Sequence, residues 1–312
     1  MASVMPTIVD GEEAIRLRAG DYAATFVPAV GMVGMSLRFR DLEFLALPAD
    51  LDGYRRGAWT GLPILHPWAN RLGARRFRVA ARDVDLTDLD VATDPNGLPI
   101  HGTLNAATGW LVEEADENPG VEPARLRATF DHRTRPELLA AFPFRHVLEL
   151  EVTLSGAGLT IQTALVPDEG EVVPASFGWH PYFRLPSGAR SSWRLGLPDR
   201  DHVALDERGL PTGASASEAA ELEPLGDRSF DDLYALGDDR RLSIESDRHR
   251  LEVAFDRTYP YAQVFAPPDR DFVCLEPMTA PTNALVDGTA PLVGPGQAFR
   301  ASFTIRVVEL GS

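Results

Sequence analysis

His146-Val147-Leu148-Glu149-Leu150-Glu151-Val152-Thr153-Leu154 alternates strictly: Leu148, Leu150, Val152 and Leu154 face one way, Glu149, Glu151 and Thr153 the other. That period of two belongs to a β-strand with one buried and one wet face. Ser155-Gly156-Ala157-Gly158 then turns the chain, and Leu159 to Val166 returns as the expected partner. The pattern recurs at Leu251, Val253 and Phe255, and again at Phe303, Ile305 and Val307. Glycine and proline punctuate the chain every ten to fifteen residues. Helical signals are confined to Arg135 to Phe142 and, more weakly, Ser217 to Glu223. Strands do not alternate with long helices, which argues against a doubly wound parallel sheet. The expected fold is all-β, a large antiparallel β-sandwich. Two segments suit long loops better than domain boundaries: acidic Glu114 to Pro123, and Gly209 to Pro224, rich in small residues. Residues 1–312 are therefore expected to form a single domain without internal repeats.

Composition narrows the function. Thirty basic residues against forty-six acidic ones leave a formal charge of -16, which disfavours nucleic acid and anionic membrane surfaces as partners. Every basic residue is arginine. The lack of lysine excludes Schiff-base and pyridoxal chemistry, a P-loop lysine and a lysine general base. Cys274 is the only cysteine, so neither an internal disulfide nor a cysteine-rich zinc site is available. The N-terminal residues carry no basic region followed by an apolar core, and no apolar run reaches membrane-spanning length. The expectation is a soluble cytoplasmic protein.

Five stretches combine aromatic, titratable and turn residues. The richest is Pro174-Ala175-Ser176-Phe177-Gly178-Trp179-His180-Pro181-Tyr182-Phe183-Arg184-Leu185. Pro181 biases His180 toward an extended conformation, which places His180 and Tyr182 on the same side. Asn70-Arg71 follows the apolar run Gly61 to Ala69 and offers several donors and one fixed charge. His101-Gly102 sets an imidazole on a turn where a ligand can approach the backbone. Phe230-Asp231 and Phe272-Val273-Cys274-Leu275-Glu276-Pro277 supply carboxylates. Glu276 ends an apolar strand, and a buried acid needs a partner. Singly, each has an ordinary explanation: Arg71 pairing with a surface acid, His101 capping a turn, Asp231 as an Asx residue, His180 satisfying a carbonyl. The aspartates at 83, 85, 88, 90 and 94 fail the EF-hand pattern and read as a solvated strand and turn.

Taken in order, Asn70-Arg71, His101-Gly102, His180-Pro181-Tyr182-Phe183, Phe230-Asp231 and Glu276-Pro277 resemble the aldose 1-epimerases (galactose mutarotases) over nearly the whole chain. No one motif is specific; the ordered set is. The resemblance implies a large β-sandwich, Glu276 as general base on the anomeric hydroxyl and His180 as general acid on the ring oxygen. It implies His101 as a second histidine hydrogen-bonding nearby. Arg71, Asp231 and Tyr182 would hold sugar hydroxyls, with Asn70 and Gln263 as further candidates. Pro67-Trp68-Ala69 and Val286 depart from the family's usual residues beside the Asn70 and Asn283 stretches.

The chemistry suits these residue types on its own terms. Anomer interconversion removes a proton from O1 and delivers one to O5, which a base and an acid on opposite sides of the sugar would accomplish. No metal and no cofactor are expected. A glutamate and a histidine hold opposite protonation states between about pH 4.3 and 6.5, and a nearby carboxylate would favour the imidazolium and widen that window. Expected partners are a small-molecule sugar and, as an assembly the sequence permits, a second copy in a homodimer. An anionic sugar, phosphorylated or sulfonated, would call on Arg55-Arg56, Arg75-Arg76 or Arg184. A non-catalytic sugar-binding protein would have lost the acid or the base. A glycoside hydrolase would use Asp231 and Glu276, and gives the histidines no role.

Overall fold

The alternation at 146–154 forms the strand His146–Ser155, paired antiparallel with Gly158–Pro167 from His146 opposite Pro167 to Ser155 opposite Gly158. The computed structural model describes residues 2–115 and 123–311, so most of the acidic Glu114 to Pro123 stretch lies outside the described residues. Leu148, Leu150, Val152 and Leu154 are buried and Glu149 is exposed, as the period requires. Gly158 closes the hairpin at φ +129°. A Cβ there would come within 2.4 Å of the Ile305 carbonyl oxygen, so the next strand's approach demands glycine.

This hairpin sits within a nine-stranded sheet. Ala124–Asp131 and Leu111–Ala115 continue it on one side; Phe299–Glu309, His249–Phe255, Arg241–Glu245, Arg194–Leu197 and Glu221–Pro224 continue it on the other. An eight-stranded sheet runs Pro211–Glu218, Arg200–Leu205, Phe230–Leu236, Tyr261–Ala266, Val273–Met278, Gly178–Trp179, Ile64–Leu65, and Tyr182–Phe183 branches from Val273–Met278. A third, five-stranded sheet spans Ser3–Val9 to Leu42–Glu43. All ladders between these strands are antiparallel.

The apolar face of the nine-stranded sheet meets both other sheets. The Tyr22 hydroxyl donates to the Val307 carbonyl and accepts from the Val307 N–H, each at 2.8 Å. The Trp179 indole donates to Thr163 Oγ1 at 3.1 Å, and its ring lies 5.9 Å from that of Phe303. A sandwich of antiparallel sheets around a continuous apolar core is thus the observed architecture.

Two local expectations need revision. Pro136–Ala141 is helical, with proline in its first turn, but Ser217 to Glu223 is not. It contains the end of Pro211–Glu218 and the start of Glu221–Pro224, joined at an outer margin of the fold. Nearly all of Pro211–Glu218 is exposed on both faces, so no side-chain period marks it as a strand. Of the five aspartates, Asp83 and Asp85 are exposed partners of Arg78 and Arg76, whereas Asp94 is buried.

The alternation makes a paired stability prediction. Leu150→Ala should cost about 2–5 kcal/mol in urea unfolding, while the neighbouring Glu149→Ala should stay within about 0.5 kcal/mol. Equal effects would mean the strand is not buried on one face.

Candidate active site

Three adjacent strands of the eight-stranded sheet build the floor of a cleft of about 340 Å³. Asp231 lies opposite Phe265, and Gln263 opposite Glu276, on the central strand and its two neighbours. Because side chains alternate, Asp231, Gln263, Phe265 and Glu276 share one face. Tyr182 pairs with Cys274, two residues before Glu276, and so joins the same face. The walls are loops. Trp59 follows the short helix Leu51–Arg55, Asn70 and Arg71 follow Ile64–Leu65, and His101 sits in the 92–104 segment. All eight residues singled out in the sequence line this one cleft: Asn70, Arg71, His101, His180, Tyr182, Asp231, Gln263 and Glu276.

The extended conformation expected before Pro181 puts the His180 and Tyr182 rings in a stack, 4.6 Å apart and 10° from parallel. Backbone bonds from His180 N–H to Pro63 O and from Tyr182 N–H to Gly61 O fix that segment. His180 Nε2 lies 3.2 Å from Glu276 Oε1, with both side chains almost fully buried. Acid and base candidates are thus neighbours on one side of the cleft, not placed across it. O1 and O5 of a sugar are both bonded to C1, so neighbouring groups can serve both oxygens.

Burial also reverses the expected protonation. It pushes the Glu276 carboxyl well above its usual range, and nearby Asp231 adds to the effect. It pushes the His180 imidazole down to about 3. Desolvation favours the neutral form of each group, a protonated Glu276 and an unprotonated His180, and at this distance the two titrate as a coupled pair. His101 is held well below its ordinary value by burial and by the His180 and Arg71 charges, so it is neutral. Its Nδ1 accepts from the Asn70 backbone N–H at 3.3 Å, which leaves the ring proton on Nε2 as a donor. Cys274 is buried and its thiol is raised, which keeps it protonated and unreactive.

Arg71 is held from three directions. Its Nε donates to Asp94 Oδ2 at 2.9 Å, and its two terminal nitrogens donate to Asn70 Oδ1 and Asp231 Oδ2, each at 3.1 Å. Burial disfavours its charge, and the Asp231 and Asp94 carboxylates outweigh that. Gln263 Nε2 donates to the other Asp231 oxygen at 2.7 Å. Asn70 and His101 both adopt left-handed backbone angles, φ 58° and 61°, a conformation costly for residues other than glycine. Their backbones are cross-linked, His101 N–H donating to Asn70 O at 3.0 Å. Gly102 is required by packing: a Cβ would lie 2.1 Å from the His66 carbonyl oxygen.

Among the cleft residues that sequence reasoning missed, Asp94 and Trp59 matter most to its geometry. Asp94 hides within a run of solvated aspartates, yet it accepts from the Asn96 and Leu98 N–H groups and holds Arg71. Trp59 lies between two glycines in an otherwise exposed turn; its ring runs 9° from parallel with His180 and edge-on to His101. Buried Glu276 Oε2, His180 Nδ1 and Gln263 Oε1 have no partner among the described residues. Paired with the aromatic faces of Trp59 and Phe265, such polar atoms suit a small, polyhydroxylated molecule.

A family model described as aldose 1-epimerase matches residues 13–306. The chain is 22% identical over 304 residues to the uncharacterized protein YihR of Escherichia coli K12, covering 94% of this chain and 92% of that one. A galactose mutarotase-like protein from Clostridium acetobutylicum superposes with a TM-score of 0.87 at 22% identity, covering 99% of each chain. Galactose 1-epimerase from Lactobacillus acidophilus gives 0.76 at 15%, also covering 99% of each. These structures share the fold of this chain.

The shared proton has a measurable signature. With Glu276 raised and His180 lowered, the folded pair keeps one proton at pH values between the two folded titrations, whereas the unfolded groups bind two below about pH 4.5, one between 4.5 and 6.5, and none above. The pair's contribution to stability therefore rises with pH to about 4.5, stays level to about 6.5 and then falls, by at most about 1.4 kcal/mol per unit. Glu276→Gln leaves a neutral His180 and abolishes the fall above 6.5. Urea unfolding from pH 5 upward should show wild type losing stability relative to this variant on both sides of 6.5, the wild type level while the variant gains below it, and the wild type falling while the variant is level above it. Parallel profiles would refute a shared proton.

Proposed function

The chain belongs to the aldose 1-epimerase family, and from that premise we propose that it interconverts the α- and β-anomers of a neutral hexose. The observation that carries this reading is the buried His180–Glu276 contact. Moving the shared proton from Glu276 to His180 creates a carboxylate base and an imidazolium acid in one step. The carboxylate takes the O1 proton while the imidazolium gives its proton to O5, and the C1–O5 bond breaks. Rotation about C1–C2 turns the aldehyde over. O5–H then returns its proton to His180 as it attacks C1, and Glu276 returns a proton to O1. The pair ends as it began, with one proton. His101 donates from Nε2 near the ring oxygen. Arg71, Asp231, Tyr182, Asn70 and Gln263 hold hydroxyl groups. Each proton transfer is worth about 10²–10⁴-fold.

The charge of the cleft supports a neutral substrate. Among the described lining residues Arg71 is the one cation, and it already serves two carboxylates. The other arginines that an anionic sugar would recruit are engaged or placed elsewhere. Arg55 pairs with Glu12 and Asp52, Arg76 with Asp85, Arg75 donates to the Leu86 carbonyl, and Arg56 and Arg184 are exposed outside the lining. A phosphate or sulfonate would face Asp94 and Asp231 with no unpaired guanidinium among the described lining residues to receive it.

Polarimetry of freshly dissolved α-glucose, α-galactose and glucose 6-phosphate tests both statements. The neutral sugars should equilibrate faster with the protein, and the phosphate should not. Glu276→Gln and His180→Asn should each lower kcat by at least roughly 10²-fold, with KM less affected because Arg71 and Asp231 remain. Near-normal mutarotation by Glu276→Gln would overturn the assignment of the base. Preference for the phosphate would overturn the neutral-sugar reading alone.

A further inference from the structure

Behind the cleft wall, three histidines gather with no part in the sugar chemistry. His66 follows the strand Ile64–Leu65, His132 lies in the turn after Ala124–Asp131, and His146 opens His146–Ser155. None is more than 1% exposed. One nitrogen from each ring lies within 4.8 Å of the other two. The His132 and His146 rings stack with centroids 4.4 Å apart, and His66 leans on both. The Phe142 ring meets all three edge-on at 5.8–6.1 Å and closes one side of the cluster.

Hydrogen bonding among the three rings is incomplete. His146 Nδ1 lies 2.7 Å from the Phe144 carbonyl oxygen, so it carries the proton and donates there. That turns the lone pair on His146 Nε2 toward His66 Nε2, 2.8 Å away. His66 Nδ1 and both nitrogens of His132 have no partner among the described residues. Burial holds all three imidazoles below their ordinary range, so each is neutral and offers a lone pair. A neutral imidazole whose far nitrogen is pinned to a backbone carbonyl is the arrangement that orients histidine for a metal.

We propose that His66, His132 and His146 bind a divalent late first-row transition metal, Zn²⁺ foremost, at a structural site separate from the cleft. Imidazole nitrogens are suited to zinc, and three of them with no carboxylate or thiolate disfavour calcium and magnesium. Nitrogens bound at about 2.0–2.1 Å around a tetrahedral centre stand roughly 3.3 Å apart. The present cluster reaches that by opening the His66–His146 contact slightly and drawing His132 inward. Enclosure means that the ion is acquired as the chain folds. Its binding would brace the cleft from behind. The His66 carbonyl accepts from the Thr103 and Leu104 N–H groups, and the chain runs from His66 directly into Asn70-Arg71.

The full chain is produced in defined medium supplemented with zinc or with cobalt, and bound metal is measured by mass spectrometry after gel filtration. About one ion per chain is expected, with a higher thermal midpoint than for chain produced with metal withheld. Cobalt should show the visible ligand-field bands of nitrogen ligation. Metal should be lost in His132→Phe and kept in His202→Asn, a control for surface histidines. Wild-type chain that stays metal-free in both media overturns the proposal, as does metal retained in His132→Phe. A near-ultraviolet thiolate-to-cobalt band would overturn it too, placing the ion at Cys274 beside His180 and Glu276 instead. If His132→Phe does not fold, the wild-type cobalt spectrum still separates these outcomes.

Discussion

An imidazole and a carboxyl group stand 3.2 Å apart, almost completely removed from water, and burial disfavours the charged form of each. Everything around them serves to keep that arrangement. Glu276 sits on a central strand with partners on both sides, so its backbone cannot yield toward solvent. His180 is stacked on Tyr182 and bonded through its backbone to Pro63. In water the two groups would titrate independently near 4.3 and 6.5. In the sandwich, desolvation and contact make them a single titrating unit, and its poise comes from the fold as much as from residue type.

Arg71 shows the same economy applied to charge. Its guanidinium is largely buried yet engaged at all three nitrogens, with Asp94 beneath it and Asp231 at the cleft. Gln263 holds the second Asp231 oxygen, so the chain from Asp94 to Gln263 is one continuous set of hydrogen bonds across two loops and two strands. Such a network fixes the positions of these polar atoms before any ligand arrives. The strained backbones of Asn70 and His101 fit the same account: two costly conformations persist because each is bonded to the other.

How much of this was readable from residues alone follows from what each position faces. Strands with one wet and one dry face announce themselves, as His146–Ser155 does, because burial writes a period of two into the residues. Pro211–Glu218 is wet on both faces and leaves no such trace, so its tail reads as helix. Prolines after His180 and Glu276 mark those residues as extended, and the ordered motifs gather the cleft. Protonation was not legible, because it depends on how deeply two groups lie together. Asp94, one aspartate in a solvated run, becomes distinctive only once Arg71 is seen above it. His66, His132 and His146 are scattered along the chain, and only the folding of three segments onto one another brings them together.

The cleft joins two kinds of construction. Its floor is made of mid-sheet strands, where a change of residue or register disturbs neighbours on both sides. Its walls near Trp59, Asn70 and Thr93 to His101 are loops, which can lengthen, shorten or exchange side chains without touching a ladder. In the proposed reaction the base Glu276 rests on the floor, and Asn70, Arg71 and His101 reach the sugar from the walls. On that reading, descendants of such a molecule can drift from one sugar to another while inheriting the reaction unchanged. An engineer who redesigns only the walls would be following the route the architecture leaves open.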